Sequence, residues 1–245
     1  MHAARHAASL RMSRQGPAAV AALTVVAIGA ILGDLWAAPH AADGWRWLHW
    51  ICKPLATGLV LAVAWQANPP LSPRYRRCVL AGLCFALLGD VLLMLPGDVF
   101  EAGLAAFLLA HLAFLAAWLD DSRLAVRPLA LLACLLAAAG LLGLLWPFLA
   151  PSLRAPVGVY ALVLATMAGQ AVGRARQHAA RGDARALPAR RAALGAVLFL
   201  LSDSLLAWDR FRHPLPLATL WVLGSYYPAI GLIAWSTWRV PARAR

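Results

Sequence analysis

Long apolar runs, each bounded by proline, glycine or arginine, recur along this chain and leave it little choice of fold. Eight can be read, at roughly 18–37, 48–67, 77–95, 101–119, 127–147, 155–173, 190–208 and 215–237. Each approaches the about 20 residues that a helix needs to cross hydrocarbon. A segment in lipid must satisfy its own backbone hydrogen bonds, which favours helices over open strands. The expected fold is therefore all-α, a polytopic membrane bundle of eight transmembrane helices forming a single domain over residues 1–245. Short disordered basic tails are expected at about 1–16 and 239–245. Only 13% of residues are charged, against about a quarter in soluble domains, so no soluble domain of useful size is expected.

The net charge of +12 raises the question of nucleic acid, and its distribution argues against that partner. The arginines sit in short clusters beside the apolar runs, as orientation signals do. Seventeen fall on one side of the alternating spans: the N-terminal tail, the 2–3, 4–5 and 6–7 connections, and the C-terminal tail. The other side has Arg46, Arg154, Arg210 and Arg212. By the positive-inside rule both termini are cytoplasmic. The basic residues comprise 21 arginines and one lysine. Together with the abundant alanine, this suggests a GC-rich bacterial genome and a place in the bacterial inner membrane. Arg5, Arg11 and Arg14 ahead of the first run resemble a signal peptide, but the run is long enough to stay as an uncleaved helix. Cys52, Cys78, Cys84 and Cys134 show no paired spacing, so neither a disulfide framework nor a metal pair is expected.

Two aspartates lie inside these runs in one frame, Asp90 in LLGDVLLM and Asp203 in LLSDSLLA. A carboxylate in hydrocarbon costs several kcal/mol and by default marks a functional site facing the bundle interior. The orientation places Asp90, Asp203 and Lys53 about five residues from the outer boundary, a depth of roughly 8 Å. The shared frame falls on the third and seventh runs, four apart, consistent with a parallel 4+4 repeat. Two carboxylates at one depth can divide acid and base roles, or each can be a packing or salt-bridge residue, with Lys53 as partner.

Lys53 could hold a phosphate, neutralise an aspartate, or snorkel to the headgroups. His111 could give a proton or orient water, or be a hydrogen-bonded core histidine. Ser202 and Ser204 flank Asp203 and could bond within their own helix. Tyr226 and Tyr227 could donate to a substrate or simply pack. No metal site and no cofactor are expected, and the chain has no P-loop, dinucleotide fingerprint or serine nucleophile elbow.

At these residues the sequence resembles the YhhN-like lysoplasmalogenase family of eight-span membrane proteins. The resemblance rests on Lys53-Pro54 and on GLCFALLGDVLLML (Gly82 to Leu95). It extends through FEAGLAAFLLAHLAF (Phe100 to Phe114), GAVLFLLSDSLLAWDRF (Gly195 to Phe211) and the tyrosine pair before LIAWS. One departure is that the family often has Ala-Gln after the tyrosines, where this chain reads Ala229-Ile230.

The resemblance implies an integral-membrane hydrolase that cleaves the vinyl ether bond of lysoplasmalogens to a fatty aldehyde and a glycerophospho-alcohol. It also implies a lysophospholipid as the partner within the bilayer. In that reaction Asp203 would act as acid and Asp90 as base. Two other readings use the same residues: a transporter or scaffold with proton- or cation-relaying aspartates, and an intramembrane aspartyl protease. The second lacks the Tyr-Asp and Gly-x-Gly-Asp frames expected of it.

Overall fold

A computed structural model describes residues 2–37, 43–97 and 99–239, with the backbone alone for 2–16. Its helices are α1 (His2–Trp36), α2 (Gly44–Trp65), α3 (Pro73–Leu92), α4 (Phe100–Trp118), α5 (Pro128–Leu145), α6 (Pro151–Arg181), α7 (Ala186–Phe211) and α8 (Ala218–Trp235). A short 3₁₀ turn, Trp146–Phe148, follows α5. Sequence logic sets several of the starts. The Asp43 side chain accepts from the Arg46 amide and caps α2, and Ser72 does the same for α3 through the Tyr75 amide. Pro73, Pro128 and Pro151 occupy first-turn positions, where a missing N–H does no harm. At the far end of α6, Gly182 takes the left-handed conformation (φ 62°) that closes a helix.

Seven of the eight helices are long and apolar enough to cross a membrane. The eighth, α3, has span length but begins with Arg74, Arg76 and Arg77 and carries Asp90 near its end. Of these charged groups Asp90 is buried, while Arg74 and Arg77 are exposed at the other end of the helix. Two helices, α1 and α6, outrun their expected bounds by the most. α1 continues back to His2 because the residues before Pro17 are mostly good helix formers. α6 has 31 residues, about 46 Å at 1.5 Å per residue, and carries Arg174 and His178 as buried helix positions rather than as loop. The expectation for the tail at 240–245 lies outside the described residues.

Six helices close a ring in which neighbours pack in the order α2, α3, α4, α6, α7, α8 and back to α2. α1 lies against α2 and α8, and α5 lies against α6 with a light touch on α7. The ring interior holds a chain of aromatic side chains. Tyr75 meets Trp118 (centroids 5.6 Å apart), Trp118 stacks on Phe114, and Phe114 leads through Phe199 to Tyr226. Burying such rings supplies much of the packing, and their tilted and edge-on contacts fix the geometry.

One end of the ring carries the α2–α3, α4–α5 and α6–α7 connections and is tied by charge. Arg174, fully buried, forks onto Asp121 through Nε (2.5 Å) and Nη2 (2.7 Å), and Arg185 adds a third bond (3.0 Å). His178 Nδ1 lies 2.8 Å from Asp183. Gln170 bonds the Ala125 amide, the Ser122 hydroxyl and the Arg123 carbonyl. These bonds form a basic plug at this end of the ring, and Asp90 and Asp203 lie toward the other end.

Close helix approach depends on glycine at two places that matter for the site. A Cβ on Gly89, next to Asp90, would sit 2.6 Å from the Phe107 ring. One on Gly195 would sit 2.6 Å from the Ala229 carbonyl, a backbone atom that cannot rotate away. Gly195→Ala is therefore expected to destabilise the protein by about 1–3 kcal/mol despite alanine's better helix propensity. A lower thermal midpoint in detergent would verify this, and an unchanged or raised midpoint would refute it.

Candidate active site

At the end opposite the basic plug, a cavity is lined by Asp34, His49, Lys53, Asp90, Ser202, Asp203, Asp209, Arg210, Thr219 and Tyr226 among apolar neighbours. Both sequence-singled aspartates reach it, from α3 and α7.

Asp90 is 2% exposed. Its Oδ2 accepts from Thr57 Oγ1 on α2 (2.6 Å) and from Tyr226 Oη on α8 (2.8 Å). On the other side, Asp203 Oδ2 accepts from Tyr160 Oη on α6 in a short hydrogen bond. His111 Nε2 on α4 lies 2.9 Å from Tyr160 Oη and 3.3 Å from Asp203 Oδ2. With the phenol's only proton directed at Asp203, Nε2 must carry a proton for its contacts to be hydrogen bonds. His111 Nδ1 is buried without a partner among the described residues. Each aspartate is thus held by two helices other than its own, with Oδ1 left without a hydrogen bond among the described residues. Between the two sets lie Phe107 and Phe199, whose rings touch each other and Tyr226, while Phe199 also stands edge-on to His111 (4.7 Å).

Lys53 sits in the cavity wall, 9% exposed, on a polar face of α2 that repeats every fourth residue: His49, Lys53, Thr57. Among the described residues no carboxylate lies within 4 Å of its ammonium. Arg210 lies over the Phe100 ring (4.9 Å) at the same end. Asp34 accepts a short hydrogen bond from Thr219. Among the described residues no group of three or more His, Cys, Asp or Glu side chains is placed to hold a metal.

The remaining predicted residues divide. Ser202 lines the cavity but gives its hydroxyl to the Val222 carbonyl (3.0 Å), and Ser204 gives its own to the Leu200 carbonyl (2.6 Å). Tyr227 packs against Tyr226 and lines neither this cavity nor the apolar one beside it; its buried hydroxyl has no partner among the described residues. Ile230 is fully buried and also stands outside both. Three side chains escaped the sequence reading. Thr57 was detectable one turn beyond Lys53, and Asp34 was a further carboxylate in an apolar run. Tyr160 gave no local signal, because its partner is 43 residues away.

Fold and site together define a multi-pass helical membrane protein with a cavity lined by carboxylates. The chain belongs to the YhhN family, whose model matches residues 48–237 and takes in both aspartates and their hydrogen-bond partners. It is similar to Lysoplasmalogenase TMEM86B of Homo sapiens, 33% identical over 199 residues that make up 81% of this chain and 79% of the relative. The protein named Lysoplasmalogenase in Mycobacterium tuberculosis is 39% identical over 160 residues, 62% of this chain and 56% of that one. An uncharacterized membrane protein YhhN of Escherichia coli O157:H7 is 36% identical over 131 residues, 52% and 61% of the two chains. No solved structure matches this chain.

Proposed function

We propose that this protein is a lysoplasmalogenase, an integral-membrane hydrolase that splits the vinyl ether of a lysoplasmalogen into a fatty aldehyde and a glycerophospho-alcohol. The observation that carries the reading is the placement of Asp90 and Asp203 on one cavity, each fixed by a tyrosine. Relatives that bear the lysoplasmalogenase name support it.

In the proposed mechanism Asp203 gives its proton to the alkene carbon remote from the ether oxygen. An oxocarbenium ion forms at the carbon attached to oxygen. Asp90, as carboxylate, stabilises that cation and takes a proton from the water that attacks it. The hemiacetal collapses to aldehyde, and its leaving oxygen takes a proton to become the glycerol hydroxyl, so the net change is addition of one water. Glycosidases divide labour between two carboxyl groups in the same manner. Tyr160 and His111 hold Asp203 in position. Tyr160→Phe is therefore expected to lower kcat by about ten- to a hundred-fold, as loss of a hydrogen bond that positions a buried carboxyl group implies, with KM nearly unchanged. Equal kcat in wild type and variant would remove Tyr160 from this role.

Lys53, with Arg210 nearby, is the proposed holder of the phosphate. A charge-assisted bond contributes about 1.5–3 kcal/mol, so Lys53→Met should raise KM for a phosphorylated substrate about ten- to a hundred-fold. A variant with unaltered KM would contradict this assignment.

The finer architecture we propose is eight spans in one domain, both termini in the cytoplasm of a bacterium, and a parallel 4+4 repeat; the arginine distribution supports the orientation, and the helix contacts and site bonds support the repeat. The contacts α4–α6 and α8–α2 correspond under an exchange of the two halves. So do the bonds: Asp90 on α3 is held from α2 and α8, and Asp203 on α7 from α6 and α4. In this orientation the cavity opens at the outer surface. The direct test of function is aldehyde release by purified protein from a 1-alkenyl lysophospholipid, with the matching 1-alkyl ether inert. No aldehyde from the alkenyl lipid would overturn the proposal.

A further inference from the structure

A second cavity meets the first at Asp203. The two share Leu93, Phe100, Phe107, Asp203 and Leu206 in their walls, so they adjoin at these side chains. Their chemistry differs sharply. Every other polar side chain on the second cavity, Tyr160 and Ser204, already has a hydrogen-bond partner, and the rest of the wall is apolar. One wall is α5, contributing Ala138, Leu141, Leu142 and Leu145. α5 stands outside the six-helix ring, packs chiefly on α6, and is the least buried of the candidate spans. The apolar branch thus lies between the carboxylate site and the most peripheral helix of the bundle.

We propose that this branch holds the hydrocarbon chain of a single-chain phospholipid, which enters sideways from the bilayer between α5 and α7. The proposal rests on the lysoplasmalogenase reading for the position of the reacting bond. The headgroup lies in the polar cavity beside Lys53, and the bond to be cleaved lies at the junction beside Asp203. The chain runs past Leu142 and Ala207 toward α5. Phe100 and Phe107 border both branches and flank the place where the chain would pass. This arrangement assigns Ala138, small and partly buried on the wall, as a residue that limits how the chain lies.

Two measurements test it. A lysophosphatidylcholine bearing a photoreactive diazirine in its chain, in mixed micelles with the full-length protein, should label the inward positions of α5 and α7 between 138 and 145 and between 204 and 211. That result does not depend on turnover, so it stands or falls separately from the vinyl ether reading. Labelling confined to the outward positions Leu129, Leu132 and Leu136 would overturn the slot, since these are exposed on the bundle surface. For turnover, Ala138→Trp should fill the branch and raise KM for a hexadecenyl substrate about tenfold more than for a butenyl one, as displacement of about two methylenes implies. Leu136→Trp, on the outward face, should leave that ratio as in wild type. Identical ratios in both variants would overturn the assignment. Absence of aldehyde from wild type with either chain would instead sink the reaction, while the labelling pattern continued to judge the slot.

Discussion

Asp203→Asn should abolish aldehyde release to within assay background, a loss of about a thousand-fold or more, while the variant keeps the thermal midpoint of wild type. The replacement preserves size, and its amide oxygen can still accept from Tyr160, so the packing around Phe199 and His111 has no reason to change. What disappears is a transferable proton beside the alkene. Positioned proton transfer contributes about 10²–10⁴-fold, and here it starts the reaction. Asp90→Asn is expected to fail by a similar factor at the next step, for want of a carboxylate to stabilise the cation and deprotonate water. Because the two act in one sequence, the double variant should be hardly worse than either single one. Multiplying losses in the double variant would mean that the residues act independently and would refute the pair.

The second large effect lies at the opposite end of the bundle and concerns stability. Asp121 is the anchor of the basic plug, shared by Arg174, Arg185 and, at 3.4 Å, His178. Asp121→Asn leaves the fully buried Arg174 without its carboxylate. Breaking a buried pair from one side costs about 3–5 kcal/mol, chiefly through the charge left behind. The variant should therefore melt well below wild type, with Arg174→Met in the same background recovering part of the loss. A midpoint equal to wild type would show that the plug contributes nothing.

The pH dependence follows with a definite sign. Burial pushes the Asp121 carboxyl up, but the hydrogen bonds and charge of Arg174, together with His178 and Arg185, outweigh it and hold the group below its ordinary value. A depressed folded value means stabilisation that is complete above the unfolded value, about 3.9, and lost as pH falls through the folded one. Wild type should lose this share of its stability only in that acid range, and Asp121→Asn should lack that part of the acid limb.

Much of this was legible in the sequence because a membrane makes it so. Hydrocarbon penalises every stray polar group, so apolar run lengths marked the helices and the misfit residues Asp90, Asp203 and Lys53 marked the cavity. The family resemblance read from those motifs is borne out by the match over residues 48–237. Other features were hidden for equally physical reasons. Tyr160 looks like any interfacial or core tyrosine until α6 is placed beside α7. Arg174 reads as an orientation signal in a loop, since its burial depends on Asp121, 53 residues away. Ser202 and Ser204 drew notice as neighbours of Asp203, yet Ser202 gives its hydroxyl to the Val222 carbonyl on α8 and Ser204 to the Leu200 carbonyl one turn back. The peripheral place of α5 left no mark, because lipid and a protein interior favour the same side chains.

The proposed reaction turns on one chemical event, delivery of a proton to carbon in the cavity shared by Asp90 and Asp203. Turnover of a 1-alkenyl lysophospholipid by the purified protein in D₂O, with mass analysis of the aldehyde, reads that event directly. One deuterium on the carbon next to the carbonyl, formed by wild type and lost with Asp203→Asn, is the predicted result. Aldehyde without that deuterium, or labelled aldehyde formed equally well by Asp203→Asn, would contradict it.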